Sequence, residues 1–150
     1  MTAPGPTTRG GGSTLPVYAA FVGGLALAGS VFLPWYSVNI APPFEAGTLS
    51  GWDATAFARV AMVLGVIIAL AAGALLLADR AMVRLDAPVR LALAWAIVVA
   101  AVVAAALVGF RLVVLPDPAE LLSRHVGLYV AMAAAVVAAL GGLGRLATHD

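Results

Sequence analysis

The side chains able to do chemistry in this chain are few. Its two histidines, His125 and His149, are too small a ligand set for a zinc site on their own. There is no cysteine, which excludes disulfides, thiolate metal centres and iron–sulfur clusters. All eight basic residues are arginine, so lysine Schiff-base and lysine-nucleophile mechanisms are excluded as well. His125 follows Glu120 by five residues but has no serine or carboxylate at a spacing that would build a nucleophile–base pair. This inventory predicts no catalytic centre, no metal and no cofactor.

What remains is a set of aromatic, acidic and arginine side chains: Trp35, Tyr36, Phe44, Glu45, Trp52, Asp53, Arg59, Arg111, Arg124, His125 and Tyr129. Two chemistries suit such a set. Tryptophan and tyrosine form belts at membrane–water interfaces, and arginine stems lie along apolar surface with the head in water. Alternatively, Arg59 or Arg111 pairs with Asp53 or Glu45 under an aromatic lid, which would fix a loop or hold a small anion. The histidines add nothing catalytic to either.

The elements that position these residues follow from composition. Apolar residues make up 63% of the 150 residues and charged residues 10%, with a mean hydropathy of +1.08; soluble domains run about 45–50% apolar and about 25% charged. The solvent is therefore lipid, and soluble enzymes, nucleic-acid binders and disordered chains are excluded. A net charge of +1 implies no acidic or nucleic-acid partner, leaving the bilayer as the expected one. Apolar stretches run over 15–34, 56–78, 91–110 and 126–144, each close to the roughly 20 residues that cross a bilayer as a helix. With their caps they predict helices over about 15–34, 52–79, 90–111 and 118–145. The fold class expected is an all-α, antiparallel four-transmembrane-helix bundle with an outer loop of about 20 residues between the first two helices, in which the loose alternation of residues 35–40 could make a short strand. Residues 1–14 read as a flexible cytoplasmic tail, 15–146 as the membrane domain, and 147–150 as a C-terminal tail. Ala26-Leu27-Ala28 has the small–x–small pattern of a signal-peptidase site, but only Arg9 precedes it and the apolar run continues to Leu33, which favours a retained helix.

Arginine placement sets the orientation. Arg9, Arg80, Arg84, Arg90 and Arg145 fall on one side and Arg59, Arg111 and Arg124 on the other. The positive-inside rule then places both termini in the cytoplasm, in a multi-pass protein of the inner membrane. Ser50-Gly51-Trp52-Asp53 is a capping-box pattern that starts the second helix, and Asp117-Pro118-Ala119-Glu120 suggests an interfacial helix over 118–125 that feeds the fourth. Rows of small residues four apart, with Gly24, Gly65, Gly73 and Gly142 as their glycines, predict close helix packing and a possible seam for a homo-oligomer or an unidentified membrane-protein partner. Transport would need ionisable groups at depth, and the helix interiors carry none. Small multidrug antiporters share the helix number, but residues 15–34 lack the carboxylate they depend on.

Leu33-Pro34-Trp35-Tyr36-Ser37 closes the first helix and Leu49-Ser50-Gly51-Trp52-Asp53-Ala54 opens the second; Phe110-Arg111-Leu112, Gly127-Leu128-Tyr129 and Gly141-Gly142 follow in order. This set resembles the small four-helix membrane proteins common in actinobacteria, most of them uncharacterised, over about residues 15–145. The resemblance implies a fold and a membrane location and no activity. A claudin-like relationship is rejected because the required cysteine pair is absent. The functional expectation is a non-enzymatic structural or accessory membrane component. One alternative is a sensor or binding module for a lipid headgroup or small anion at the outer face; another is a subunit of a larger transport assembly.

Overall fold

The computed structural model describes residues 13–40, 47–117 and 119–148. Helix α1 spans Leu15–Ser30, α2 Gly51–Ala54, α3 Ala56–Asp79, α4 Ala87–Val113 and α5 Val126–Ala147; strands β1, β2 and β3 span Pro34–Val38, Gly47–Ser50 and Leu122–Arg124. Helices α3, α4 and α5 are long and apolar enough to cross a membrane, and α1 is a shorter apolar helix of 16 residues. The tail proposed over 1–14 lies outside the described residues except for Ser13 and Thr14.

Helix α1 packs on α3 and α5, and α4 packs on the same two, so the long helices close into a ring. Neighbours run antiparallel. Along the α1–α3 seam, Gly24 meets Gly65 and Ala69 while Phe21 meets Gly73. Along α1–α5, Gly23 meets Ala138 while Pro16 meets Gly141. The interior is Ala, Val, Leu and Ile, including Leu27, Ile68, Leu75, Ile97, Ala101 and Ala135, all buried. With so many alanines the backbones come close together. A Cβ on Gly24 would lie 2.7 Å from the Ala69 nitrogen, and one on Gly65 would lie 2.7 Å from the Ala28 nitrogen. Gly142 stands 2.8 Å from a Val98 methyl by the same measure. Gly73 differs, because its Cβ would meet only the Phe21 ring at 3.5 Å, an ordinary contact. Gly23 and Gly141, outside the predicted rows, are as tightly placed as Gly24.

The all-α expectation is corrected at one end of the ring, where β1 sits between β2 and β3 in an antiparallel sheet. Three helix boundaries move for the same reason. The first helix ends at Ser30 rather than near 34, because the carbonyls of Val31 and Leu33 accept hydrogen bonds from the Trp52 and Gly51 nitrogens (3.1 and 3.3 Å) and the chain then enters β1. The helix expected over 52–79 is broken at Thr55, which is extended (φ −154°, ψ 147°) and caps α3 through its hydroxyl on the Ala58 nitrogen at 3.2 Å. The interfacial helix expected over 118–125 is instead one 3₁₀ turn, Ala119–Leu121, followed by β3. Its residues 122–124 pair with β1, an edge that local capping signals do not reveal.

Candidate functional site

The helices end in two polar zones, and the sheet end holds the residues singled out by type. Strand β1 carries two of them in adjacent positions. The Trp35 ring is fully buried, donates through Nε1 to the Ser30 carbonyl at 2.8 Å, and lies against Gly51 and Gly127, where a Cβ would come within 2.7 Å of the ring. The Trp35 carbonyl accepts from the His125 nitrogen at 2.8 Å. Trp35 is thus a plug that joins α1, α2, β1 and α5, rather than an interfacial belt residue. The register shift between Pro34 and Tyr36 allows both consecutive side chains to be buried, which ordinary strand alternation forbids.

The Tyr36 side chain is also fully buried, and its hydroxyl has no hydrogen-bond partner among the described residues. Burial pushes its phenol above the ordinary value of 10.0, with the Arg111 and Arg124 charges pulling the other way. Arg111 Nε and His125 Nδ1 are likewise buried and unpartnered among the described residues. The Arg111 guanidinium lies over the Phe57 ring at 4.3 Å and near that of Phe110 at 5.8 Å. Arg124 is exposed and donates to the Leu112 carbonyl and, at 3.3 Å, to that of Val113, covering the last turn of α4.

Trp52 and Arg59 form a separate ledge. Trp52 is 41% exposed, stacks on Phe32 at 6.3 Å, and receives the Arg59 guanidinium at 5.2 Å from its ring centre. Arg59 Nε also donates to the Trp52 carbonyl at 3.2 Å. Asp53 is engaged locally: its nitrogen donates to Ser50 Oγ at 3.3 Å, and that hydroxyl donates to Asp53 Oδ2 at 2.7 Å. Glu45 and Phe44 lie outside the described residues. Tyr129 is 56% exposed and stands apart from the group. Of the alternatives open for Arg59 and Arg111, pairing with Asp53 does not occur and pairing with Glu45 lies outside the described residues; the contacts present are arginine–aromatic. Trp52 lies two turns before Arg59 and Phe57 on the helix facing Arg111, and an aromatic face holds a guanidinium that has no carboxylate partner among the described residues. A cleft of about 230 Å³ does open at this end, but its polar lining is Asp53 and Asp117, not arginine.

At the opposite end is a cluster that residue type alone did not single out. Asp79 Oδ1 receives Arg145 at 2.6 Å and Arg90 at 3.5 Å, joining the ends of α3, α4 and α5. The Arg145 side chain is only 8% exposed. Asp79 Oδ2 and Arg145 Nε are buried without partners among the described residues. The signal available in the sequence was topological: antiparallel neighbours bring residue 79 at one helix end beside 90 and 145. No group of three or more metal-ligating side chains exists among the described residues. Comparison with known proteins gives no match: no family model, no curated protein and no solved structure is detectably similar to this chain.

Proposed function

We infer that this chain is a four-span integral membrane protein with both termini in the cytoplasm, acting as a non-enzymatic structural or accessory component through contacts of its helices. The observation that carries this reading is the sorting of polarity: the ring's interior is apolar throughout, while ionisable side chains occupy its two ends. A chain whose scarce charges stabilise its own ends offers little for turnover or for passage of an ion. The resemblance of its LPWY and SGWDA segments to actinobacterial four-helix proteins supports the membrane location and the helix number, and carries no role. Because the chain has no cysteine, orientation is testable with single thiols. Thr48→Cys should react with an impermeant maleimide in intact cells and Ala87→Cys only after lysis; the opposite pattern overturns the orientation. Purification in mild detergent should recover an oligomer or a stoichiometric membrane partner, and a solitary monomer removes the accessory role.

A second reading, capture of a small anion or lipid headgroup at the sheet end, is favoured by the buried, unpartnered Arg111 Nε and Tyr36 hydroxyl, with the Arg111 and Arg124 charges bearing on that hydroxyl. Inorganic phosphate should then raise the melting temperature of the wild type and not of Tyr36→Phe. Equal response of the two proteins excludes it.

A further inference from the structure

The α1–α3 seam is not uniform. Near the sheet end it is shut, with Gly24 and Gly65 in backbone contact. Toward the other end it opens into a groove of about 400 Å³ lined by Tyr18, Phe21, Gly73, Leu76, Leu77 and Arg80. Gly73 is why it opens: it presents no side chain where the neighbouring turns carry leucine, and nothing but the Phe21 ring stands within 4 Å of its Cβ direction. The groove walls are apolar and the polar groups sit at one end, where Arg80 donates to the Tyr18 hydroxyl with its guanidinium 5.8 Å from that ring's centre.

Arg80 owes its position to a strained turn. Met82 N donates to the Leu77 carbonyl at 3.0 Å and Ala81 N to that of Ala78 at 3.0 Å, the pair of bonds that stops a helix with a left-handed residue. That residue is Ala81, at φ 57°. The adjacent carboxylate, Asp79, is already engaged by Arg145 and Arg90. The Arg80 charge therefore has no carboxylate partner among the described residues, and the Tyr18 hydroxyl, which accepts from Arg80, retains its own proton to donate.

We propose that this groove holds one acyl chain of an anionic membrane phospholipid, with the lipid phosphate on Arg80 and the Tyr18 hydroxyl. An apolar slot on a lipid-facing helix seam selects a hydrocarbon chain over any aqueous solute. The uncompensated guanidinium with a neighbouring O–H donor matches phosphate oxygens in charge and geometry, and basic pockets between membrane helices hold anionic headgroups in this way. The site rests only on immersion of the helices in lipid, which the thiol-labelling experiment tests separately.

The test is native mass spectrometry of the full chain released from vesicles containing equal phosphatidylglycerol and phosphatidylcholine. The wild type should retain phosphatidylglycerol about fivefold over phosphatidylcholine. Arg80→Gln should abolish that preference, and Gly73→Leu, which fills the slot from a position with room for a side chain, should lower retention of both lipids. Circular dichroism and melting of each variant show that it folds. No preference in the wild type, an undiminished preference in Arg80→Gln, or unchanged retention in folded Gly73→Leu each overturns the proposal.

Discussion

The two ends of the helix ring are closed by different means. At the sheet end a buried tryptophan, two glycines that admit its ring, and a three-stranded sheet hold α1, α2 and α5 together, and the arginines of α3 and α4 lie on aromatic faces. At the other end one carboxylate, Asp79, gathers two arginines from two further helices. The first closure depends on shape and apolar burial and is indifferent to salt. The second depends on charge removed from water, where pairing must offset desolvation of both ions. A chain with so few polar residues thus spends its buried ion pairs at one end and its buried aromatics at the other. Both ends keep buried polar atoms that lack partners among the described residues, Tyr36 Oη, Arg111 Nε and His125 Nδ1 at the sheet end and Asp79 Oδ2 and Arg145 Nε at the other.

That difference is broken most severely at Trp35. Trp35→Ala removes a fully buried ring wedged against Gly51 and Gly127, and should cost about 3–5 kcal/mol, read as loss of unfolding midpoint in mild detergent. A loss under about 1 kcal/mol would show that the sheet alone closes this end. Salt should leave the difference between variant and wild type unchanged.

The charged end gives the next largest effect. Arg145→Gln leaves Asp79 with only the longer contact to Arg90, and should cost about 2–3 kcal/mol because the site is largely removed from water. Arg90→Gln, at a side chain 30% exposed, should cost under about 1 kcal/mol. If the two variants lose equally, Asp79 is solvated and the comparison with the sheet end collapses. Pairing Arg145→Gln with Asp79→Asn should recover part of the loss, since no unmatched charge then remains buried.

The legibility of the two ends in sequence also differs. The apolar stretches, the capping role of Ser50 and the small-residue seams at Gly24, Gly65 and Gly142 were readable, because each is a local pattern with a local physical cause. Strand β1 was legible in the loose alternation of residues 35–40, but the sheet was not: β1 also pairs with β3, more than eighty residues away, Ser37 Oγ meeting Ser123 Oγ at 2.5 Å, and a strand as short as β3 carries no periodicity of its own. The Arg–aromatic contacts were missed because a carboxylate is the expected partner wherever one lies nearby in the chain, yet Asp53 was already held by Ser50. The burial of Trp35 could have been suspected from the glycines at 51 and 127, which become meaningful only once the fold brings them to one ring.

Titration should separate the ends further. The Tyr36 phenol ionises above its ordinary value of 10.0 because it is buried. On unfolding, the phenol becomes easier to deprotonate, so stability is full below about pH 10 and falls as pH rises through the folded-state value. In the wild type, melting temperature should decline in that alkaline range, and Tyr36→Phe should flatten the decline. Arg145→Gln should leave its shape unaltered, since arginine stays charged there. An identical alkaline decline in Tyr36→Phe would mean that the phenol is not the group being titrated.

The smallest effect concerns the turn that leads out of α3. Ala81 occupies a left-handed conformation at φ 57° where glycine is the usual residue. A Cβ there costs roughly 1 kcal/mol, while glycine adds conformational freedom to the unfolded chain, so the two terms oppose each other. Relief of the native strain should prevail narrowly, and Ala81→Gly should raise stability by up to about 0.5 kcal/mol. The gain should appear equally in wild type and in Trp35→Ala, because the turn and the tryptophan share no contact and belong to opposite ends. It should shrink in Arg145→Gln if the Asp79 cluster helps to hold the turn, since Asp79 is only two residues from Ala81. A gain that shrinks in Trp35→Ala instead would show that the ends are energetically coupled through the helices, and that closure by shape and closure by charge are not independent.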